Sequence, residues 1–205
     1  MAVTKDHCRF CFDVLLAHLT HDPASAAAPV SFDDSVEYPL FVTWDKRDRY
    51  GELQLRGCIG NFSPMRLSTG LRDYALTSAL HDSRFPPIAL RELPLLSCSV
   101  SLLIDFESAR DYMDWELGTH GVWIEFRLPG GARKTATFLP QIAVEQGWSK
   151  LQTIDHLLRK GGYNLNITDD VRRSIKLTRY RSQKADLLYE EYVAMRGTAP
   201  LLLGK

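Results

Sequence analysis

The sequence predicts an α+β fold, and three observations carry that expectation. Segments alternating apolar and polar residues are mixed along the 205 residues with segments of helical spacing, without the strict strand-helix-strand succession of a doubly wound sheet. Two of the alternating pairs are joined by short turn-forming stretches, the signature of hairpins and so of antiparallel pairing. A hydrophobic share of 45% beside 24% charged residues is ordinary for a chain that buries a core. A mixed or antiparallel sheet with flanking helices is therefore expected.

The elements follow in order. Residues 4–20 place Phe10, Cys11, Val14, Leu15 and His18 at three- and four-residue spacings, the stripe of an amphipathic helix, and Asp22-Pro23 stops it. Ala24 to Ser35, rich in Ala, Ser, Pro and Asp, reads as a loop or linker. Leu40 to Trp44 and Tyr50 to Ile59 read as a hairpin around the charged turn Asp45 to Arg49. Ser63-Pro64 has the residue types of a helix start, and Leu67, Leu71, Tyr74, Ala75 and Ala79 mark a helix ending near Asp82. The prolines of Asp82-Ser83-Arg84-Phe85-Pro86-Pro87 remove donors and restrict φ, so this stretch is a shaped loop. Leu95 to Ile104 is a strand by alternation, and Val122 to Arg127 with Arg133 to Leu139 form a second hairpin around Pro129-Gly130-Gly131. Pro140 to Gln146 and Lys150 to Lys160 read as helices, the second closed by Gly161-Gly162. Ser174 to Arg181 is a strand and Leu187 to Met195 a helix.

Composition excludes classes without naming a function. Four cysteines are too few for a disulfide scaffold, and no charged-then-apolar leader opens the chain, so a reducing intracellular compartment is expected. The longest nearly apolar run, Leu95 to Ile104, is half a membrane span, which argues against a membrane protein. Net charge is zero, yet residues 1–126 carry 11 Lys and Arg against 18 Asp and Glu, and the remainder 14 against 7. The two halves either balance each other within the fold or present the basic half to an anionic partner.

Several groupings have chemical content. On an uninterrupted strand, Gln54, Arg56 and Cys58 share one face, which sets a thiol beside a guanidinium; a neighbouring cation favours the thiolate. Gly57 and Gly60 would let a ligand or another backbone approach. The competing reading makes Cys58 a packing residue and the glycines marks of a bulge or bend. A nucleophilic cysteine needs a base, for which His120 and His81 are the candidates. Cys8-x-x-Cys11 before His18-x-x-His21 imitates zinc spacing, but Cys11 and His18 fall on the apolar stripe and His21 lies past the helix stop, so helix packing is preferred and no metal site is expected. Residues 172–184 hold six basic side chains and no acid, with Tyr180 interleaved, the look of a phosphate-contacting strand; as an edge strand the same charges would instead guard against aggregation. The common nucleotide, hydrolase and zinc-protease signatures are absent, and no cofactor is expected.

Leu55-Arg56-Gly57-Cys58-Ile59-Gly60 resembles the hallmark hexapeptide of the AMMECR domain family. Gly70-Leu71-Arg72-Asp73-Tyr74, Asp82 to Pro87, His120-Gly121, Thr135 to Pro140 and Leu157 to Gly162 resemble that family's blocks, in its order, and Ile175 to Ser182 is similar to its eukaryotic branch. The resemblance covers residues 4–196 as a single domain, with 197–205 as a flexible tail. It implies a larger and a smaller subdomain separated by a cleft, the hexapeptide near that cleft, and a location in cytoplasm, nucleus or both. It implies no settled reaction; roles in transcription, translation or repair and an unidentified enzymatic role have been proposed for the family, and prokaryotic relatives point to Memo-like protein partners. The combined expectation is a cleft that binds, and in the enzymatic reading acts on, a small anionic or peptidic ligand. Cys58 and His120 are the catalytic candidates and Arg56, Gly57, Gly60, Ser83 and Arg84 the ligand contacts. The alternative is a non-enzymatic adaptor or nucleic-acid-associated factor using residues 172–184.

Overall fold

The computed structural model describes residues 3–22 and 31–197. The fold is α+β, with every strand pair antiparallel: α1 (Lys5–Thr20), β1 (Glu37–Arg47), β2 (Leu53–Arg66), α2 (Leu67–Leu80), a 3-10 helix (Leu90–Leu95), β3 (Leu96–Ser108), β4 (Gly121–Arg127), β5 (Arg133–Phe138), α3 (Pro140–Glu145), α4 (Lys150–Lys160), α5 (Asp169–Arg173), β6 (Lys176–Leu188) and α6 (Tyr189–Arg196). The chain forms two compact units, Met1–Leu102 with Gln183–Lys205, and Leu103–Ser182.

In the first unit the strands run β2-β1-β3-β6. Alternation decides which face of β1 is apolar: Leu40, Val42 and Trp44 stand opposite Leu102, Val100 and Cys98 of β3, and all six are buried. They pack with Phe12, Leu15, Leu71 and Ala75 of α1 and α2 in one core. Trp44 anchors the layer, its ring edge-on to Phe12 at 5.0 Å and its indole N–H donating to the Ala75 carbonyl at 3.0 Å. Burying side chains of this size stabilises the fold by about 1.5–3 kcal/mol each. The opposite face of β3 carries Ser97, Ser99 and Ser101, paired with Asp45, Thr43 and Phe41.

The second unit contains the β4-β5 hairpin, with β6 on the other side of β4. Val122, Ile124 and Phe126 of β4 pack with Ile154, Leu157 and Leu158 of α4. Ser149 starts α4 through a reciprocal cap with Gln152.

Three expectations change in detail. Ser63-Pro64 does not open a helix: β2 continues through it, and the register jumps from Leu40↔Asn61 to Tyr38↔Met65 around these residues. Proline is tolerated there because β2 is an edge strand interrupted at that point. The first hairpin turn lies later than Asp45 to Arg49, since β1 runs to Arg47 and the turn closes with Asp48 accepting the N–H groups of Tyr50 and Glu52. Strand β6 is no edge strand, because β3 and β4 flank it. Of the loop expected over Ala24 to Ser35, residues 24–30 lie outside the described residues, as do 198–205 of the expected tail.

Candidate functional site

The hexapeptide lies on β2, and its geometry is set by a break in pairing. Trp44 stands opposite Gly57 and Asp45 opposite Leu55, so Arg56 has no partner on β1 and forms a β-bulge. The bulge puts Arg56 and Cys58 on different faces. Arg56 joins the side of Lys46, where both side chains meet Glu92, whereas Cys58 takes the side of Thr43, whose hydroxyl donates to its Sγ at 3.0 Å. The expectation that the two share a strand face is therefore corrected, for it assumed uninterrupted alternation.

Arg56 is buried, and each of its three guanidinium nitrogens is hydrogen-bonded. Its Nε and Nη2 donate to the two Glu92 carboxylate oxygens at 3.1 Å each, Nη1 to the Pro86 carbonyl at 2.7 Å and Nη2 to the Pro87 carbonyl at 3.3 Å. Glu92 also receives Lys46 at 2.8 Å and the Ala89 N–H. Burial alone would raise the Glu92 carboxyl, but its bonds to Arg56 and Lys46 outweigh that and hold it down at about 2. Gly57 follows from the same packing: a Cβ there would lie 2.0 Å from the Ser78 carbonyl oxygen of α2. At Gly60 it would meet the Leu40 carbonyl and the Phe41 ring. Both glycines admit neighbouring parts of the chain itself.

A second set of bonds ties the 82–87 loop to Cys58. The buried Asp82 carboxylate accepts the Cys58 N–H at 2.9 Å and holds Arg84 through Nε at 2.9 Å and Nη2 at 2.6 Å; Nη2 of Arg84 also donates to the Cys58 carbonyl at 3.2 Å. Arg84, together with the Cys58 N–H, keeps Asp82 well below the usual carboxylate range against the opposing effect of burial. Nη1 of Arg84 makes no hydrogen bond among the described residues, and the side chain is 54% exposed. The Ser83 side chain beside it is exposed.

Cys58 differs from the other three cysteines. Cys8, Cys11 and Cys98 are completely buried, while Cys58 is partly exposed. Burial pushes its thiol up; the Thr43 hydroxyl and Arg84 oppose this, and the carboxylates of Asp82 and Asp45 add to it. The cation acting on Cys58 is thus Arg84 rather than Arg56, and the net direction is toward the neutral thiol, the reverse of the sequence expectation. Cys8 Sγ donates to the Ala185 carbonyl at 3.2 Å, and His18 is exposed, off the buried stripe. Among the described residues no three His, Cys, Asp or Glu side chains are grouped to hold a metal ion, and no helix is long and apolar enough to cross a membrane.

The family model described as AMMECR1 matches residues 8–185. An uncharacterised protein of Arabidopsis thaliana is 47% identical over 195 residues, covering 95% of this chain and 89% of its own. One of Schizosaccharomyces pombe is 40% identical, covering 92% and 95%. The chain belongs to the AMMECR1 family. The crystal structure of an uncharacterised Pyrococcus horikoshii protein, at 22% identity, aligns with a TM-score of 0.69 over 88% of this chain and 89% of that one, which shows that the AMMECR1 fold is shared.

Two of this AMMECR1 chain's motifs are therefore bound to each other in both directions: Arg56 of the hexapeptide holds the loop's carbonyls, and Asp82 and Arg84 of the loop hold both backbone groups of Cys58. Asp82, Glu92 and Thr43 are the participants that sequence reasoning left without a role. Glycine directly after Arg56 in a strand was the available signal for the bulge.

His120 belongs to the second unit. Its Nδ1 accepts the Glu116 N–H at 3.0 Å, which assigns the ring proton to Nε2. Burial, then Arg179 and Arg181, lower its pKa, so it rests as a neutral imidazole. It lines a cavity of about 510 Å³ whose wall includes Arg179, Arg181 and Trp115. The basic stretch is mostly matched by acids: Arg172 bonds Asp155 and Asp169, Arg173 faces Asp170 at 3.9 Å, Lys176 faces Glu125 at 3.6 Å, Arg179 pairs with Glu107 and Asp114, and Lys184 pairs with Asp186. Tyr180 is buried, stacked on Phe106 and bonded to the Phe138 carbonyl.

Proposed function

We propose that the first unit presents Cys58, Ser83 and Arg84 as a binding surface for a small or peptidic ligand carrying an anionic group. The observation that carries this reading is that both backbone groups of the partly exposed cysteine are fastened to the Asp82–Arg84 pair. This fixes the thiol beside a guanidinium that keeps one nitrogen unengaged. A guanidinium whose Nε and Nη2 are held by a carboxylate is oriented before any ligand arrives, so binding costs little side-chain entropy. The Ser83 hydroxyl adds an exposed donor in the same loop.

Within this reading Arg56, Gly57 and Gly60 support the surface from behind and do not touch the ligand. Cys58 rests as a neutral thiol, so its first role is contact; nucleophilic use would require a base, the part given from sequence to His120. The pairing of Arg172, Arg173, Lys176 and Arg179, together with the burial of Tyr180, favours this reading over the nucleic-acid one, because little uncompensated charge and no outward aromatic ring remain for phosphates and bases.

The test is protection against alkylation. Small carboxylates and phosphates are titrated against iodoacetamide labelling of Cys58, in the natural chain and in Arg84→Lys. Protection by anions but not by neutral analogues, weakened in the lysine variant, is the expected result. Equal protection in both chains would remove Arg84 from the site.

A further inference from the structure

The second unit has a cavity of its own, lined by His120. What distinguishes this cavity is which of its charges are already used. Arg179 is not free: it donates to Glu107 at 2.8 and 3.0 Å and to the Asp114 side chain at 3.0 Å, and Asp114 is also held by Arg110. Lys150 donates to the Met113 carbonyl at 3.3 Å and lies 6.0 Å from the Trp115 ring centre.

The unused groups have both signs. Among the described residues Arg181, exposed on β6, makes no ion pair and the Nε2–H of His120 has no acceptor. Against them stand the carboxylates of Asp105 and Glu116, which likewise make no ion pair among the described residues. Asp105 also has φ of 55°, the left-handed region in which non-glycine residues are uncommon and which recurs at binding sites. A simple anion entering here would meet four carboxylates, and a simple cation would meet two arginines and a lysine. A molecule with one charge of each sign satisfies both sets, and the part-exposed Met113 offers an apolar wall.

We propose that this cavity binds a small zwitterion of the α-amino-acid class with an apolar side chain. Its carboxylate meets Arg181 and the His120 Nε2–H, and its ammonium meets Asp105 and Glu116. The fixed His120 tautomer serves this directly, because Nδ1 is committed to the Glu116 N–H and only a donor faces the ligand. This site takes a different ligand from the Cys58 surface and stands without that reading.

The experiment titrates the full chain with L-methionine, N-acetyl-L-methionine and L-methionine amide, following the backbone amide NMR signals of Glu116 and His120. L-Methionine should move both signals, and each blocked derivative should bind about tenfold or more weakly, the loss expected for one charge-assisted contact. Arg181→Gln should weaken L-methionine about tenfold while leaving the amide nearly unchanged. Asp105→Asn, which tolerates the left-handed backbone, should do the same with N-acetyl-L-methionine as the unaffected compound. No shift with L-methionine at millimolar concentration, or equal binding of all three compounds, overturns the proposal. So does a loss in either variant that is uniform across the three.

Discussion

Asp82 accepts the backbone N–H of Cys58 at 2.9 Å across 24 residues of sequence, and through Arg84 the same carboxylate secures the Cys58 carbonyl as well. A single buried acid thereby ties the proline-stiffened loop to the bulged strand. Replacing it by asparagine keeps its size but removes the charge that holds Arg84. Asp82→Asn should destabilise the chain by about 1–3 kcal/mol in urea unfolding at neutral pH, the cost range for unpairing buried polar groups, discounted because Arg84 is half exposed. The pH dependence follows with its sign. The folded-state pKa of Asp82 is depressed, so its contribution is present above the unfolded carboxylate value of about 4 and is lost as pH falls further. The natural chain should therefore lose more stability than Asp82→Asn between about pH 5 and pH 3. Parallel losses would deny the clamp.

Arg56 makes a contrasting prediction. Its fork spans Glu92 and two proline carbonyls, a pattern a lysine cannot reproduce. Arg56→Lys should cost about 2–4 kcal/mol, since it leaves a buried carboxylate and two carbonyls under-satisfied. The pH profile of Cys58 alkylation should stay where it is, because the bulge keeps Arg56 off the thiol's face. A shifted profile with little loss of stability would restore the uninterrupted-strand picture.

Gly57→Ala places a methyl group 2.0 Å from the Ser78 carbonyl oxygen, a backbone atom that cannot swing aside. The variant should be destabilised by about 2 kcal/mol or more, or fail to accumulate as folded protein, since overpacking that moves backbone costs in this range. Gly130→Ala, with nothing within 4 Å, is the control and should unfold near the natural midpoint. Equal midpoints would mean that β2 and α2 are not packed this closely.

The basic stretch 172–184, which begins on α5 and continues along β6, should give weak and unselective RNA binding at physiological salt, with a shallow dependence on ionic strength, because most of its cations already have carboxylate partners. Tight binding with a steep salt slope, flattened by Arg179→Ala and Arg181→Ala, would reverse the ranking of the two functional readings.

Much of the architecture was legible because it rests on local periodicity. The alternation of Leu96, Cys98, Val100 and Leu102 reports the face of β3 that packs on the helices, and the turn residues between Arg127 and Arg133 report the β4-β5 hairpin. The misreadings cluster where pairing departs from regularity. A period-two argument cannot see that Arg56 is an extra residue, and one extra residue moved its side chain to the other face. Likewise Pro64, a helix-start residue by type, sits within an irregular edge strand. Asp82 and Glu92 escaped notice for a different reason: the Cys58 N–H and the Arg56 guanidinium that they accept from lie 24 and 36 residues away, and a bond at that separation leaves no local pattern. Helix α5, at five residues, is too short to show a stripe.

The central claim is that Cys58 is the accessible, backbone-clamped thiol of the four, held neutral at rest. Site-resolved alkylation of the native chain across pH tests it most directly. Cys58 should label well before Cys8, Cys11 and Cys98, with a rate that rises only above the ordinary thiol range of about 8.5; Thr43→Val should shift that rise further upward by removing the hydroxyl that favours the thiolate. Labelling of Cys58 no faster than the buried three, or a thiolate already formed near neutral pH, would contradict the account.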